Sequence, residues 1–245
     1  MNTTSTAIVT GSTSGIGAAI ARSLAAAGTR VVVSGRDATR GAKVAADIGG
    51  EFVPVDLAGP YQGIRAFAAA AAGRLGGRVD ILVNNAGIYP AVPTAALPDD
   101  ALDAMLATNI RAPHVLVAAL APAMAARGSG VIVNIGSWMA HVGVPFGAMY
   151  TASKAALEQM TRTWSAEFGP SGVRVVTVAP GITLTEGNAA HREVIDHQTA
   201  GTPAGTHVHP ADIAAAVRFV TSPEAAMIQG SVLSVDGGLL GARLR

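Results

Sequence analysis

Tyr150 and Lys154 stand four residues apart in the stretch YTASK. On a helix that spacing places both side chains on one face, one turn from each other. The chemistry on offer is acid–base. A phenol titrates near pH ~10 and is a poor proton donor or base at neutral pH. An ammonium beside it favours the phenolate and brings the phenol toward the working range. The choice of lysine sharpens this reading, because the chain carries fifteen arginines and only two lysines, Lys43 and Lys154. Arginine is a rigid fork, whereas lysine is a compact charge on a flexible stem. Taken alone, the pair also reads as a surface pair on a helix.

A second constellation lies near the N-terminus. Gly11, Gly15 and Gly17 in VTGSTSGIG follow an apolar run and open an alanine-rich stretch. Glycines between a strand and a helix permit a tight turn and let the backbone approach a pyrophosphate, while the helix N-terminus offers unpaired N–H groups. The spacing G-x-x-x-G-x-G departs from the usual dinucleotide fingerprint. By itself this turn is a weak signal, since it also fits a close-packed corner with no ligand.

The elements that would position these groups follow a regular rhythm. Short β-branched runs (TAIVTG, RVVVSG, FVPVD, VDILVNNAG, GVIVNIGS, GVRVVTVAPG, SVLSVDGG) alternate with helical stretches, among them Tyr61 to Arg74, Ala101 to Arg127 and Tyr150 to Phe168. The runs are apolar throughout instead of alternating, as parallel strands covered on both faces require. The pattern predicts an α/β fold with a doubly wound parallel sheet of about seven strands and helices on both faces. No repeat or linker divides the chain, so 1–245 reads as one domain. The segment from Thr183 to His209 breaks the rhythm: it is polar, punctuated by glycine and proline, and carries four of the six histidines. It reads as a mobile substrate lid after a strand, and not as a metal site, since His207 and His209 lack further convergent ligands.

Composition narrows the classes. Half of the residues are hydrophobic, 13% are charged and the net charge is +1. A large core is available, and there is no basic excess to neutralise a nucleic acid. The absence of cysteine removes disulfides and thiolate chemistry. The first residues lack the pattern of a signal peptide, and the apolar stretch Val115 to Ala126 is too short to span a bilayer. A cytoplasmic protein with no membrane or nucleic-acid partner is expected.

Several motifs now stand in register. Thr10 to Gly17, the NNAG of Asn84 to Gly87, Asn109, Ser137, Tyr150 with Lys154, and Pro180-Gly181 occur in the order and spacing of the short-chain dehydrogenases/reductases. The chain resembles that family from about Ala7 to Gly238, and in layout it is similar to 3-oxoacyl carrier-protein reductases. The resemblance implies a Rossmann-like fold and hydride transfer between a nicotinamide and a carbonyl or secondary alcohol. Tyr150 would be the acid or base. Lys154 would hold the nicotinamide ribose, Ser137 would polarise the substrate oxygen with Tyr150, and Asn109 would hold a water in a proton relay. The cofactor contacts implied are Gly11, Ser12, Ser14, Gly15, Ile16, Gly17, Arg36, Asp56, Leu57, Asn85, Gly87, Tyr150, Lys154, Pro180, Gly181, Ile182 and Thr185. A homotetramer or homodimer is implied as well.

The second strand ends in Gly35-Arg36-Asp37. An acidic residue at this strand end usually binds the ribose 2′-hydroxyl of NAD, whereas an arginine fork suits a 2′-phosphate. Gly35 occupies the acid's place and Arg36 follows; Asp37 could reach the ribose, but its simpler role is as a helix N-cap. NADP(H) is the expected cofactor, with NAD(H) as the alternative. Tyr89, Ser137, Trp138, Met139, Phe146 and Leu184, with Ile88 and Val144, are expected to form a substrate pocket suited to a hydrophobic or aromatic small-molecule carbonyl or alcohol. Val131, Ser171 and Thr206 stand where relatives that receive an acidic carrier often have arginine, which favours a free ketone or alcohol. Two other readings are an NAD-dependent secondary-alcohol dehydrogenase and a nucleotide-sensing regulator without chemistry.

Overall fold

The apolar runs become strands that pair side by side in a computed structural model, which describes residues 4–242. In chain order the strands are β1 (Thr6–Val9), β2 (Arg30–Gly35), β3 (Glu51–Pro54), β4 (Ile81–Asn84), β5 (Gly130–Ile135), β6 (Val173–Pro180) and β7 (Val232–Val235). They form one parallel sheet in the order β3-β2-β1-β4-β5-β6-β7. The direction of winding reverses between β1 and β4, and a crevice opens there at the carboxyl ends of the strands.

Period-two alternation divides each strand between two cores. Ile8, Val32, Leu82, Ile132 and Val175 face α3 (Tyr61–Arg74), α5 (Ala112–Arg127) and α6 (Ala148–Phe168), where Phe67, Leu116 and Leu157 meet them. Their neighbours Val9, Val33, Val83, Val133 and Val176 face α1 (Gly15–Ala26), α2 (Ala38–Ile48) and α8 (Pro210–Thr221), contributing Ile20, Val44 and Ile213. Both faces are therefore dry, which is why the strands carry no polar alternation.

One polar chain crosses this apolar interior. Asn84 donates to Asn134 at 2.8 Å, Asn134 donates to Thr161 at 2.8 Å, and the Thr161 hydroxyl pairs with that of Thr177 at 2.7 Å. These four residues are almost fully buried. The chain ties β4, β5, α6 and β6 together directly below the crevice.

One helical expectation needs correction. The single helix from Ala101 to Arg127 is instead α4 (Asp99–Leu106), a wide π-turn (Ala107–Arg111) and α5. Pro113 explains the widening, because it has no N–H to offer the Asn109 carbonyl four residues earlier. The combined run Asp99–Arg127 is also long and apolar enough, by length and composition, to cross a bilayer. Most of its apolar window, 56%, is buried inside the protein, so that surface is committed to core packing.

The lid is more ordered than its composition implied. It holds a 3₁₀ turn (Glu186–His191) and α7 (Arg192–Thr199), and Thr183 bridges to Val208 so that the segment leaves and returns side by side. His207 is buried, with Nδ1 2.8 Å from Asp196 on α7 and its ring edge-on to His209.

Asn134→Ala should test the polar chain. It strands the Asn84 amide and deprives Thr161 of its donor, with an expected cost of about 2–4 kcal/mol. The measurement is the denaturant midpoint at unchanged slope.

Candidate active site

The glycine turn after β1 is shaped by backbone crowding. Gly11 and Gly15 have φ of +63° and +54°. A Cβ on Gly11 would lie 2.9 Å from the Ala86 Cα, and one on Gly17 would collide with the Asn85 amide and the Gly11 carbonyl. Asn85 enforces this corner by donating to the Thr10 carbonyl at 2.8 Å. The first intrahelical bond of α1 runs from Ala18 to Ser14 at 3.1 Å, and the Ser14 side chain makes no cap. The amides before Ala18 are thus left for an anion. Ser12 does not face this cradle. Its hydroxyl is buried, donating to Val9 at 2.6 Å and accepting from Ser34 at 2.9 Å, so it fastens β1 to β2. Thr13 lines the groove in its place.

Beside the cradle lies a groove of about 650 Å³, lined by Gly11, Ser14, Ile16, Gly17, Arg36, Asp56, Leu57, Asn85 and Gly87, and also by Asp37 and Arg40. Arg36 is exposed and makes no ion pair among the described residues. Asp37 caps α2, accepting from the Arg40 N–H at 2.9 Å and pairing with its guanidinium at 2.6 Å. The Arg40 backbone N–H holds the Asp37 carboxyl below its usual range. Gly35 has no space for an acidic side chain, since a Cβ there would lie 2.7 Å from the Thr13 methyl.

A second cleft, of about 690 Å³, continues from the first through Ile16, Asn85, Gly87, Ile88 and Thr185. It holds Ser137, Tyr150 and Lys154 together with Pro180, Gly181 and Ile182. Its apolar wall is Ile88, Tyr89, Trp138, Met139, Val144 and Phe146, as the sequence suggested. Leu184 is a correction. It is buried on the far side of the lid strand and lines a depression with Ser14, Gly15 and Pro210. Ile195 and Gln198, three apart on α7, fill the place expected for it, and Asn188 joins them. Their signal was Ile195, beside Val194, in a polar segment that reads as a loop unless helical spacing is tried.

Tyr150 and Lys154 lie one turn apart on α6, which starts after Gly147 in the left-handed region at φ +68°. The Tyr89 ring packs on that of Tyr150 with centroids 4.4 Å apart. Lys154 is buried, and its ammonium donates to the Ile135 carbonyl at 2.8 Å. It sits 5.8 Å from the Tyr150 ring centroid. Asn109, in the π-turn, accepts from the Ile88 N–H at 2.9 Å and donates to the Ile88 carbonyl at 3.1 Å and to Ser153 at 3.1 Å. Its side chain is therefore occupied in pinning the Ile88 backbone to α6. A Cβ on Gly87 would lie 3.4 Å from both the Asn109 oxygen and the Lys154 ammonium.

The electrostatics differ from the simple expectation that Lys154 loosens the phenol. Burial pushes the Tyr150 pKa above its ordinary value, a hydrogen bond with Ser137 pulls it back, and Tyr89 raises it further. Burial brings Lys154 down to about 8, with the charge of Glu158 opposing that fall. At neutral pH the arrangement holds a protonated phenol beside a protonated amine, the form needed to deliver a proton to an oxygen that gains charge.

The two clefts, the glycine cradle and the open amides of α1 fit an extended dinucleotide with its pyrophosphate at α1. Comparison with known proteins agrees. The profile of a family described as enoyl-(acyl carrier protein) reductase matches residues 11–240. Galactitol 2-dehydrogenase (L-tagatose-forming) of Cereibacter sphaeroides is 36% identical over 95% of this chain and 93% of its own. The 3-oxoacyl-[acyl-carrier-protein] reductase of Vibrio cholerae is 35% identical over 95% and 96%. A crystal structure of a variant actinorhodin polyketide ketoreductase with NADPH superposes with a TM-score of 0.92, at 33% identity over 99% and 100% of the two chains. The chain therefore belongs to the short-chain dehydrogenase/reductase family, nicotinamide-dependent oxidoreductases of carbonyl and CH–OH groups.

Proposed function

We propose that the protein is an NADP(H)-dependent reductase of a hydrophobic or aromatic ketone or 3-oxo compound, working in reverse on the corresponding secondary alcohol. The observation that carries this reading is the meeting of Ser137 and Tyr150 in an apolar cleft that runs into the glycine cradle. The cofactor, when bound, supplies or accepts the hydride. Tyr150 gives its proton to the carbonyl oxygen in reduction and takes it from the alcohol in oxidation. Ser137 donates a hydrogen bond to the same oxygen as charge develops there. Lys154 holds the ribose of the nicotinamide half from its buried position. Asn109 keeps the Ile88 backbone, and so one wall of the cleft, in place.

The preference for NADP(H) rests on three positions. Arg36 is free to meet a 2′-phosphate, Asp37 is engaged with Arg40, and Gly35 leaves no space for an acid. The apolar wall supports a substrate with few hydroxyls. An NAD-dependent secondary-alcohol dehydrogenase is the second reading, and the likeness to a galactitol dehydrogenase favours it. The phenol of Tyr150 and the Ser137 hydroxyl, both intact, speak for chemistry over nucleotide sensing.

Direct titration should find NADPH bound at least tenfold more tightly than NADH, a gap of about 1.4 kcal/mol. Arg36→Ala should erase most of that gap and leave NADH binding unchanged. Equal affinities in the parent protein would move the alcohol dehydrogenase ahead. Tyr150→Phe should lower kcat by about 10²–10⁴-fold while retaining cofactor binding in the same titration. Near-parental turnover in that variant would remove Tyr150 from the chemistry.

A further inference from the structure

Glu158 is a buried carboxylate for which the chemistry above has no use. It is 3% exposed. It follows Lys154 by four residues, as Lys154 follows Tyr150, so three ionisable groups stand in one line along α6,. Its Oε1 lies 3.1 Å from His141 Nε2, at the end of the 3₁₀ turn that Ser137 opens. A Cβ on Gly136 would come 3.2 Å from that oxygen and 2.7 Å from the Thr177 methyl. The carboxylate is thus wedged under the strand end that presents Ser137.

Burying a carboxylate is costly unless a partner repays it. The charged and titratable groups that act on Glu158 are His141 on the 3₁₀ turn and Lys154 and Arg162 on α6. Gly136, which follows β5 and abuts the Glu158 carboxylate, and Thr177 and Ala179 of β6, which pack beside Gly136, carry no charge. The His141 side chain is 39% exposed, so water screens part of its effect,. Lys154 has the complementary difficulty. Its ammonium is buried, and its one hydrogen-bond acceptor among the described residues is the neutral Ile135 carbonyl. Two opposite charges that burial disfavours singly therefore lie one turn apart.

We propose that Glu158, held by His141, is a positioning residue for charge: it keeps Lys154 protonated at the base of the active site. This rests on the assignment of Lys154 to that site but not on turnover. Burial drives Lys154 down and Glu158 opposes it. Removing the negative charge must then lower the Lys154 midpoint further, and the ammonium is lost earlier as pH rises.

The chain has only two lysines, which makes the measurement direct. Cofactor-free protein labelled with 13C at the lysine ε-carbon gives two signals, and exposed Lys43 serves as the internal reference. In the parent protein the Lys154 signal should titrate at about 8. In Glu158→Gln it should titrate at least about half a unit lower, roughly a threefold change in acidity. Glu158→Asp should restore part of the difference. A Lys154 midpoint unmoved in folded Glu158→Gln overturns the proposal. If that variant does not fold, the reciprocal experiment replaces it. Lys154→Met should raise the Glu158 midpoint, followed by its carboxyl carbon, because pairwise coupling acts equally on both partners. An unmoved Glu158 midpoint again overturns it. No substrate or cofactor is present in these samples, so failure of the ketone or cofactor assays is a separate result that bears on the proposed activity alone.

Discussion

The bond from the Lys154 ammonium to the Ile135 carbonyl fixes the site. It fastens α6 to the end of β5, and two demands meet there. The lysine must be buried to reach the floor of the cleft, and a buried ammonium must have acceptors and a counter-charge. The carbonyl at the strand end supplies the first and Glu158 the second. Once α6 is docked in this way, Tyr150 is carried to the mouth of the cleft and Ser137, two residues past Ile135, faces it. The polar chain from Asn84 through Asn134 to Thr161 and Thr177 locks the same helix one layer below. Each bond of this chain joins buried partners, which narrows its geometry, although the Asn84 side-chain oxygen has no partner among the described residues,.

The same logic governs the cofactor half. Gly11 and Gly17 are closed in by Ala86 and Asn85, so the turn before α1 has one shape available. Asn85 and Thr10 hold that shape through bonds to each other's backbone. The open amides of α1 are then aimed along the crevice where the winding of the sheet reverses. A ligand with a pyrophosphate meets a surface that was paid for during folding.

Much of this was legible in the sequence. The unbroken apolar strands announced a parallel sheet, because a strand with two dry faces leaves no position for alternation. That Tyr150, Lys154, Ser137 and Gly87 share one cleft was legible because residue type and spacing placed each at a strand end or on one helix face. What the sequence hid depends on which way a side chain turns. Ser12 lies in the glycine turn yet points into the sheet, since its hydroxyl satisfies Val9 and Ser34. Leu184 lies one residue from the cleft, but the bridge between Thr183 and Val208 aims it to the far side. Ile195 and Gln198 escaped because α7 is short and polar, with one apolar residue to mark its inner face. The π-turn had a local cause in Pro113, but its effect, the inward aim of Asn109, is tertiary. The direction of the Tyr150 shift was missed because proximity of a cation was weighed and burial was not.

The alternation of the strands has a further consequence. Side chains on the two faces of the sheet belong to separate cores, with α6 resting on one and α1 and α8 on the other. Tyr150 and Lys154 on α6 and the glycine turn before α1 are thus backed by different cores, although the clefts above them are continuous. Substitutions far apart with no common partner add in their effects. Repacking behind α1 can accordingly shift the glycine turn while leaving the core under α6 in place. The fold is in this sense a two-sided board, whose two packed faces can be altered separately beneath one continuous cleft.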